Sequence, residues 1–151
     1  HGGAAISKGD GSMSRVLVPI DGSEASHRAV RFAARVAPAL GARLDIVHVL
    51  DLSLRNVYDG FYLASERLAL IEEEVEEMLR TARALLPDGV EATTRSIKGS
   101  VLEMLLLESG NPDVELVVLG RTGKGAITRL IEGSVSRGLA FHADAPVSLV
   151  P

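Results

Sequence analysis

Arg15 to Ser26, RVLVPIDGSEAS, is the stretch on which the fold turns. Arg15 to Ile20 is a short apolar run rich in β-branched residues, and it stops at Asp21-Gly22-Ser23, a cluster of turn and cap formers. That order reads as a strand feeding a helix. From Ser23 onward Ala29, Val30, Ala33, Val36, Ala37 and Leu40 recur at spacings of three and four, with Gly41 as the stop. One β-loop-α unit is therefore complete by residue 41. Leu44 to Leu50, LDIVHVL, is apolar at nearly every position, which suits a strand covered on both faces and implies a parallel sheet.

The same alternation continues to the end of the chain. Residues 51 to 65 carry no clean period, although Tyr58, Phe61 and Tyr62 cluster there; simple packing is the expected reading, with a cover over a pocket or a partner contact as the alternative. A long amphipathic helix follows, with Leu68, Ile71, Val75, Met78, Ala82 and Leu85 at helical spacing. The acidic residues Glu72, Glu73, Glu74, Glu76 and Glu77 fill its gaps and are expected to form a solvated face. Val90 to Ile97 reads as the third strand, and Ser100 with Glu103 stands in capping-box spacing before the helix over Val101 to Leu107. Val114 to Leu119 is the fourth strand and Pro146 to Val150 the fifth. Strands alternating with helices predict an α/β fold, a three-layer sandwich with a five-stranded parallel sheet and helices on both faces. Ligands of such sheets sit beyond the carboxyl ends of the strands, where the strand order reverses. The loops after the first and fourth strands are the places to look.

Composition narrows the function classes. The chain has 151 residues, 46% of them hydrophobic and 24% charged, with a formal net charge of −4. Residues 1–12, HGGAAISKGDGS, have no apolar periodicity and read as a tag remnant, leaving one domain over residues 13–151. No apolar run approaches the roughly 18 residues of a membrane span, so no membrane partner is expected. Zero cysteines exclude a disulfide framework, a thiolate metal site and a cysteine nucleophile, and point to the cytoplasm. The acidic balance makes a nucleic-acid partner an unexpected one.

After the fourth strand the chain runs GRTGKGAITRLIEGSVS from Gly120 to Ser136. Glycines let a polyanion approach backbone amides, and Ser134 and Ser136 add hydroxyls at a helix start, so the chemistry is that of a phosphate cradle. Each glycine could equally be a turn former. A P-loop fails, because Gly123-Lys124 is followed by Gly125 and Val118 stands five positions before Gly123. The dinucleotide fingerprint fails as well, because Thr128 occupies the place of its last glycine.

Gly120, two residues, Gly123, nine residues, then Gly133-Ser134 matches the G-x2-G-x9-G-(S/T) arrangement of the ATP-binding branch of the universal stress protein family. The resemblance extends to Val18 to Ser26, to His48-Val49-Leu50-Asp51 and to Ala145-Pro146-Val147, and so covers the chain from Met13. It implies a Rossmann-like adenine-nucleotide-binding fold with strand order 3-2-1-4-5. By matching positions it places Pro19, Asp21 and the Val49 backbone at the adenine and ribose end, and Leu119 and Gly120 near the ribose. Gly123, Gly133, Ser134, Val135 and Ser136 would hold the phosphates. The implied cofactor is ATP, with any Mg²⁺ held largely by the triphosphate and water. Arg121, Lys124 and Arg129 lie inside the motif at positions the family varies. Asp21 has a second reading as N-cap of the following helix, compatible with the first.

Catalysis is less supported. Phosphoryl transfer needs a metal clamp, a group orienting water and a cation on the developing charge, and no such set is assured. His48, inside a buried strand, reads as a satisfied core residue, and His142 as a complement to a helix C-terminus. There is no G-x-S-x-G elbow and no H-E-x-x-H. The expectation is an ATP-binding regulatory module of the stress response, a homodimer through the edge strand 146–150. The alternative is a slow ATPase, or an autophosphorylating or adenylyl-transferring enzyme using the same pocket, with Ser134 and Ser136 as the hydroxyls to examine.

Overall fold

The computed structural model describes residues 13–55, 58–59, 62–121 and 134–151. The tag reading of residues 1–12 lies outside the described residues. Five strands form one parallel sheet: β1 (Arg15–Pro19), β2 (Arg43–Leu50), β5 (Ala92–Lys98), β6 (Val114–Gly120) and β7 (Val147–Val150). Their spatial order is β5-β2-β1-β6-β7, which is 3-2-1-4-5 when the strands of this sheet alone are counted. Helices α1 (Glu24–Ala39), α2 (Ser65–Ala84), α3 (Val101–Ser109) and α4 (Ser134–His142) make the crossovers. A second sheet of two residues per strand, β3 (Tyr58–Asp59) and β4 (Tyr62–Leu63), sits in the stretch without sequence period. It is preceded by a 3-10 turn over Leu52–Leu54 that Asp51 caps through the Ser53 amide at 3.0 Å.

Alternation along the central strands divides the core in two. Val16 and Val18 of β1, with Ile46 and Leu50 of β2, pack against Ala29, Val30, Ala33 and Ala37 of α1 and Ile71, Val75 and Leu79 of α2. Leu17, Val47, Val49, Val117 and Leu119 face the other way, onto Leu105 of α3 and Val135 and Leu139 of α4. This two-sided burial is why Leu44 to Leu50 reads as an almost unbroken apolar run. The acidic residues of α2 are exposed, and three of them reach cations: Glu72 with Lys98 (3.1 Å), Glu74 with Arg55 (3.0 Å) and Glu77 with Arg80. The capping box expected at α3 does not form. Ser100 holds the N-cap position without a side-chain bond to the helix, and both it and Glu103 are exposed, so water can serve the first amides.

Two charges inside strands, Arg15 and Asp45, explain how the amino ends of the strands are tied together. Asp45 breaks the apolar run of β2, and a carboxylate buried there needs cations. Arg95 of β5 meets it with two bonds, at 3.0 and 2.8 Å, Arg15 of β1 meets it from the other side, and Thr93 donates at 3.2 Å. Arg15 also bonds Asp113 at 3.1 Å, and Arg95 bonds Glu108 of α3 at 2.5 Å. Three strands, one helix and the turn before β6 are thereby cross-linked. Burial pushes the Asp45 carboxyl up, but the hydrogen bonds and charge of Arg95 and then Arg15 outweigh it, holding it below the ordinary 3.8. A carboxyl lowered on folding contributes stability that is complete above its unfolded value and is lost as pH falls through the folded one. Asp45→Asn should cost about 3 kcal/mol in urea unfolding at neutral pH, because it removes the buried carboxylate that two guanidiniums share and leaves them only Asp113 and Glu108 among the described residues. The gap from the unsubstituted protein should narrow as pH is taken below 3.8.

Candidate functional site

The strand order reverses at β1, which has β2 on one side and β6 on the other. α1 leaves β1 for one face of the sheet and α4 leaves β6 for the other, so both helix N-termini lie at the carboxyl edge beside this reversal. In sheets of this topology ligands sit at the carboxyl edge beside the reversal, and the positive ends of both helix dipoles lie there.

The first loop is built tightly. Ile20 is fully buried, and its amide donates to the Val47 carbonyl at 2.8 Å. Its carbonyl accepts from His48 Nδ1 at 2.7 Å. Asp21 follows, and its Oδ1 accepts the Ser23 amide at 2.9 Å. Gly22 takes φ +83°, a left-handed turn that glycine adopts without strain. Ser23 then caps α1 by accepting from the Ser26 amide at 3.1 Å. The N-cap role considered for Asp21 therefore belongs to Ser23, because the turn at Gly22 displaces the carboxylate by one bond pattern and aims it at Ser23. What remains is unusual: Asp21 is only 6% exposed, and its Oδ2 is buried with no hydrogen-bond partner among the described residues. Such an atom costs about 1–3 kcal/mol unless a donor arrives.

His48 is buried and its ring is satisfied at Nδ1, as a core histidine should be. Burial pushes its pKa below the ordinary value, with the Ile20 carbonyl pulling the other way, so the ring is neutral at neutral pH. A carbonyl can only accept, which puts the proton of that neutral ring on Nδ1 and leaves Nε2 as an acceptor.

The second loop begins at Gly120, and here the reason for glycine is steric. A Cβ built on Gly120 would lie 2.5 Å from the carbonyl carbon and oxygen of Ala25, in the first turn of α1. β6 can end against α1 only if residue 120 has no side chain. Gly120 is not in the positive-φ region, so the turn-forming role does not apply to it. The Arg121 amide donates to the Val150 carbonyl at 2.7 Å, extending the pairing with β7.

The sequence-predicted residues fall as follows. Pro19, Asp21, Val49, Leu119 and Gly120 all stand at the carboxyl ends of β1, β2 and β6 or just beyond them. The side chains of Val49 and Leu119 belong to the core facing α3 and α4, which leaves their backbone as the part that can meet a ligand. Val135 is buried in the same core, and Ser136 is half-buried one residue further along α4. Ser134 is the first residue of α4. Gly123, Gly133, Lys124 and Arg129 lie outside the described residues. Sequence reading did not foresee the double tie on Ile20; the one signal was a histidine in an apolar strand, which must find a partner when buried.

A family model for the universal stress protein family matches residues 13–151. The chain belongs to the universal stress protein family. It is 28% identical over 149 residues to a universal stress protein of Methanocaldococcus jannaschii, covering 96% of this chain and 86% of that one. A relative in Mycolicibacterium smegmatis is 31% identical over 141 residues, and there the chain spans 47% of the relative's length. Among solved structures, a universal stress protein in complex with cAMP has TM-score 0.62 at 25% identity, covering 91% of this chain and 95% of that one. One from Archaeoglobus fulgidus in complex with dAMP shares the fold, with TM-score 0.61 at 22% identity over 93% of this chain and 98% of that one. The α/β Rossmann-like architecture and strand order are thus those of the family.

Gly120→Ala should destabilise the fold by about 1–3 kcal/mol or more with no ligand present, since backbone atoms of Ala25 must move. A thermal melt of the apo protein checks it; an unchanged midpoint would mean that glycine is there for a ligand and not for α1.

Proposed function

We propose that this universal stress protein binds ATP in the crevice between the β1 and β6 loops and serves as a nucleotide-dependent regulatory module. The observation that carries this reading is the buried Oδ2 of Asp21 at the strand reversal, which has no hydrogen-bond partner among the described residues. A ribose hydroxyl is a donor of the right kind for it, and in this reading the ligand's arrival cancels the cost of leaving that oxygen bare. Pro19 and the backbone of Val49 would flank the adenine, and Leu119 and Gly120 the ribose. The amides at the start of α4, with Ser134, Val135 and Ser136, would meet phosphate, together with Gly123 and Gly133 of the glycine motif. Family membership supports a general role in the stress response, and the related structures with cAMP and dAMP support an adenine nucleotide as the ligand class. Mg²⁺, where present, would be held by phosphate oxygens and water.

A regulator must pass occupancy to a surface. β7 is an edge strand of the five-stranded sheet, and Leu149 on it is exposed. An open edge offers unpaired amides and carbonyls to a second chain, so a homodimer through antiparallel contact of two β7 strands is the assembly we propose. No helix among the described residues is long and apolar enough to cross a membrane, and a cytoplasmic setting accords with the cysteine-free composition.

Asp21→Asn tests the site with little change of shape. The amide oxygen can still accept from Ser23, but the other atom becomes a donor. Calorimetric titration of Mg·ATP should show binding to the unsubstituted protein and a loss of about tenfold to a hundredfold in the variant, the worth of a hydrogen bond to a charged group. Absence of any ATP heat or thermal shift in the unsubstituted protein would refute the reading. For the assembly, Leu149→Lys should give a monomer by light scattering where the unsubstituted chain gives a dimer.

A further inference from the structure

His48 lies between Ile46 and Leu50 on the face of β2 that packs against α1 and α2. The pairing of β1 with β2 ends at Pro19 opposite Val47, and the Ile20 amide takes the Val47 carbonyl as the last backbone bond. Beyond that point the main chain of the loop is tied to β2 by one contact, the bond at 2.7 Å from His48 Nδ1 to the Ile20 carbonyl. This carbonyl belongs to the peptide unit that leads into Asp21. Its orientation sets the plane from which the Asp21 side chain departs.

The far side of Asp21 is fixed as well, by the Ser23 amide on Oδ1. With the peptide held by His48 and one oxygen held by Ser23, the carboxylate has no freedom left, and Oδ2 stays in a buried position where nothing among the described residues donates to it. The charged groups that act on the His48 ring are Asp21 on the loop, Arg55 after the 3-10 turn and Glu74 on α2. Arg55 and Glu74 pair with each other at 3.0 Å.

We propose that His48 is a positioning residue for nucleotide binding: its Nδ1–H, donated to the Ile20 carbonyl, holds the Asp21 peptide and thereby aims the bare carboxylate oxygen at the ribose hydroxyls. The inference rests on the ATP-binding reading above and adds a specific consequence. His48 touches no part of the nucleotide, yet it governs how well the site distinguishes a ribose that carries hydroxyls from one that lacks them. A purely structural histidine would lower affinity for both sugars alike.

The test compares ATP with 2′,3′-dideoxy-ATP, each with Mg²⁺, by calorimetry on the full chain at a temperature where melts show every variant folded. The unsubstituted protein should prefer ATP by about tenfold or more. His48→Leu, similar in bulk but without a donor, should reduce the preference to about twofold or less. His48→Asn should restore it, because the asparagine amide lies where Nδ1 lies. Should His48→Leu fail to fold, His48→Gln, with its amide out at the Nε2 position, replaces it with the same expected loss. Full preference in the donor-less variant overturns the proposal, and so does a His48→Asn protein that discriminates no better than His48→Leu. If the unsubstituted protein binds ATP but shows no preference, the positioning role falls and nucleotide binding stands; if it binds neither nucleotide, both fall.

Discussion

Ile20 is held on both sides by one neighbouring strand, through its amide to Val47 and its carbonyl to His48. Everything at the carboxyl edge depends on that grip. It stops β1 at a defined residue, sets the start of the left-handed turn at Gly22, and lets Ser23 cap α1. It also keeps a carboxylate oxygen buried without a donor among the described residues, a state that a looser loop would relieve by rotating Asp21 into water. An unsatisfied buried acceptor persists only where the surroundings over-determine it, and it is at ligand sites that such costs are found.

The two ends of the sheet treat charge in opposite ways. At the amino end Asp45 is saturated by Arg95, Arg15 and Thr93, so the end acts as a clamp on β1, β2, β5 and α3. At the carboxyl end one oxygen of Asp21 has no hydrogen-bond partner among the described residues. The first arrangement gives rigidity, and the second gives a place where a ligand's hydroxyl can do what the protein does not. Gly120 links the two halves of the site. By admitting the first turn of α1 against the end of β6, it lets the carboxyl end of β6 lie beside the helix that the Asp21 loop leads into.

The fold was legible because its signals were periodic. Leu44 to Leu50 lacks alternation since both faces of β2 are covered, and most of the threes and fours of α1 and α2 fall in the core, although Leu40 at the end of α1 is exposed. Tertiary ties were not legible. Nothing local to Asp45 says that its partners lie 30 residues before and 50 residues after it. The short β3–β4 pairing has too few residues to leave a period, and the exposed Ser100 shows that a capping-box spacing does not oblige the bond to form. At the site, the residue types and their place at the strand ends could be read in advance. The exchange of roles between Asp21 and Ser23 could not, because it follows from the φ of Gly22, and the steric reason for Gly120 lies in a helix nearly a hundred residues earlier.

The most direct measurement is a crystal structure of the protein grown with Mg·ATP. The expected result is a ribose hydroxyl within about 3.2 Å of Asp21 Oδ2, with the Ile20 carbonyl still on His48 Nδ1. Nucleotide seated elsewhere, or a ribose that leaves Asp21 Oδ2 to water, would contradict it.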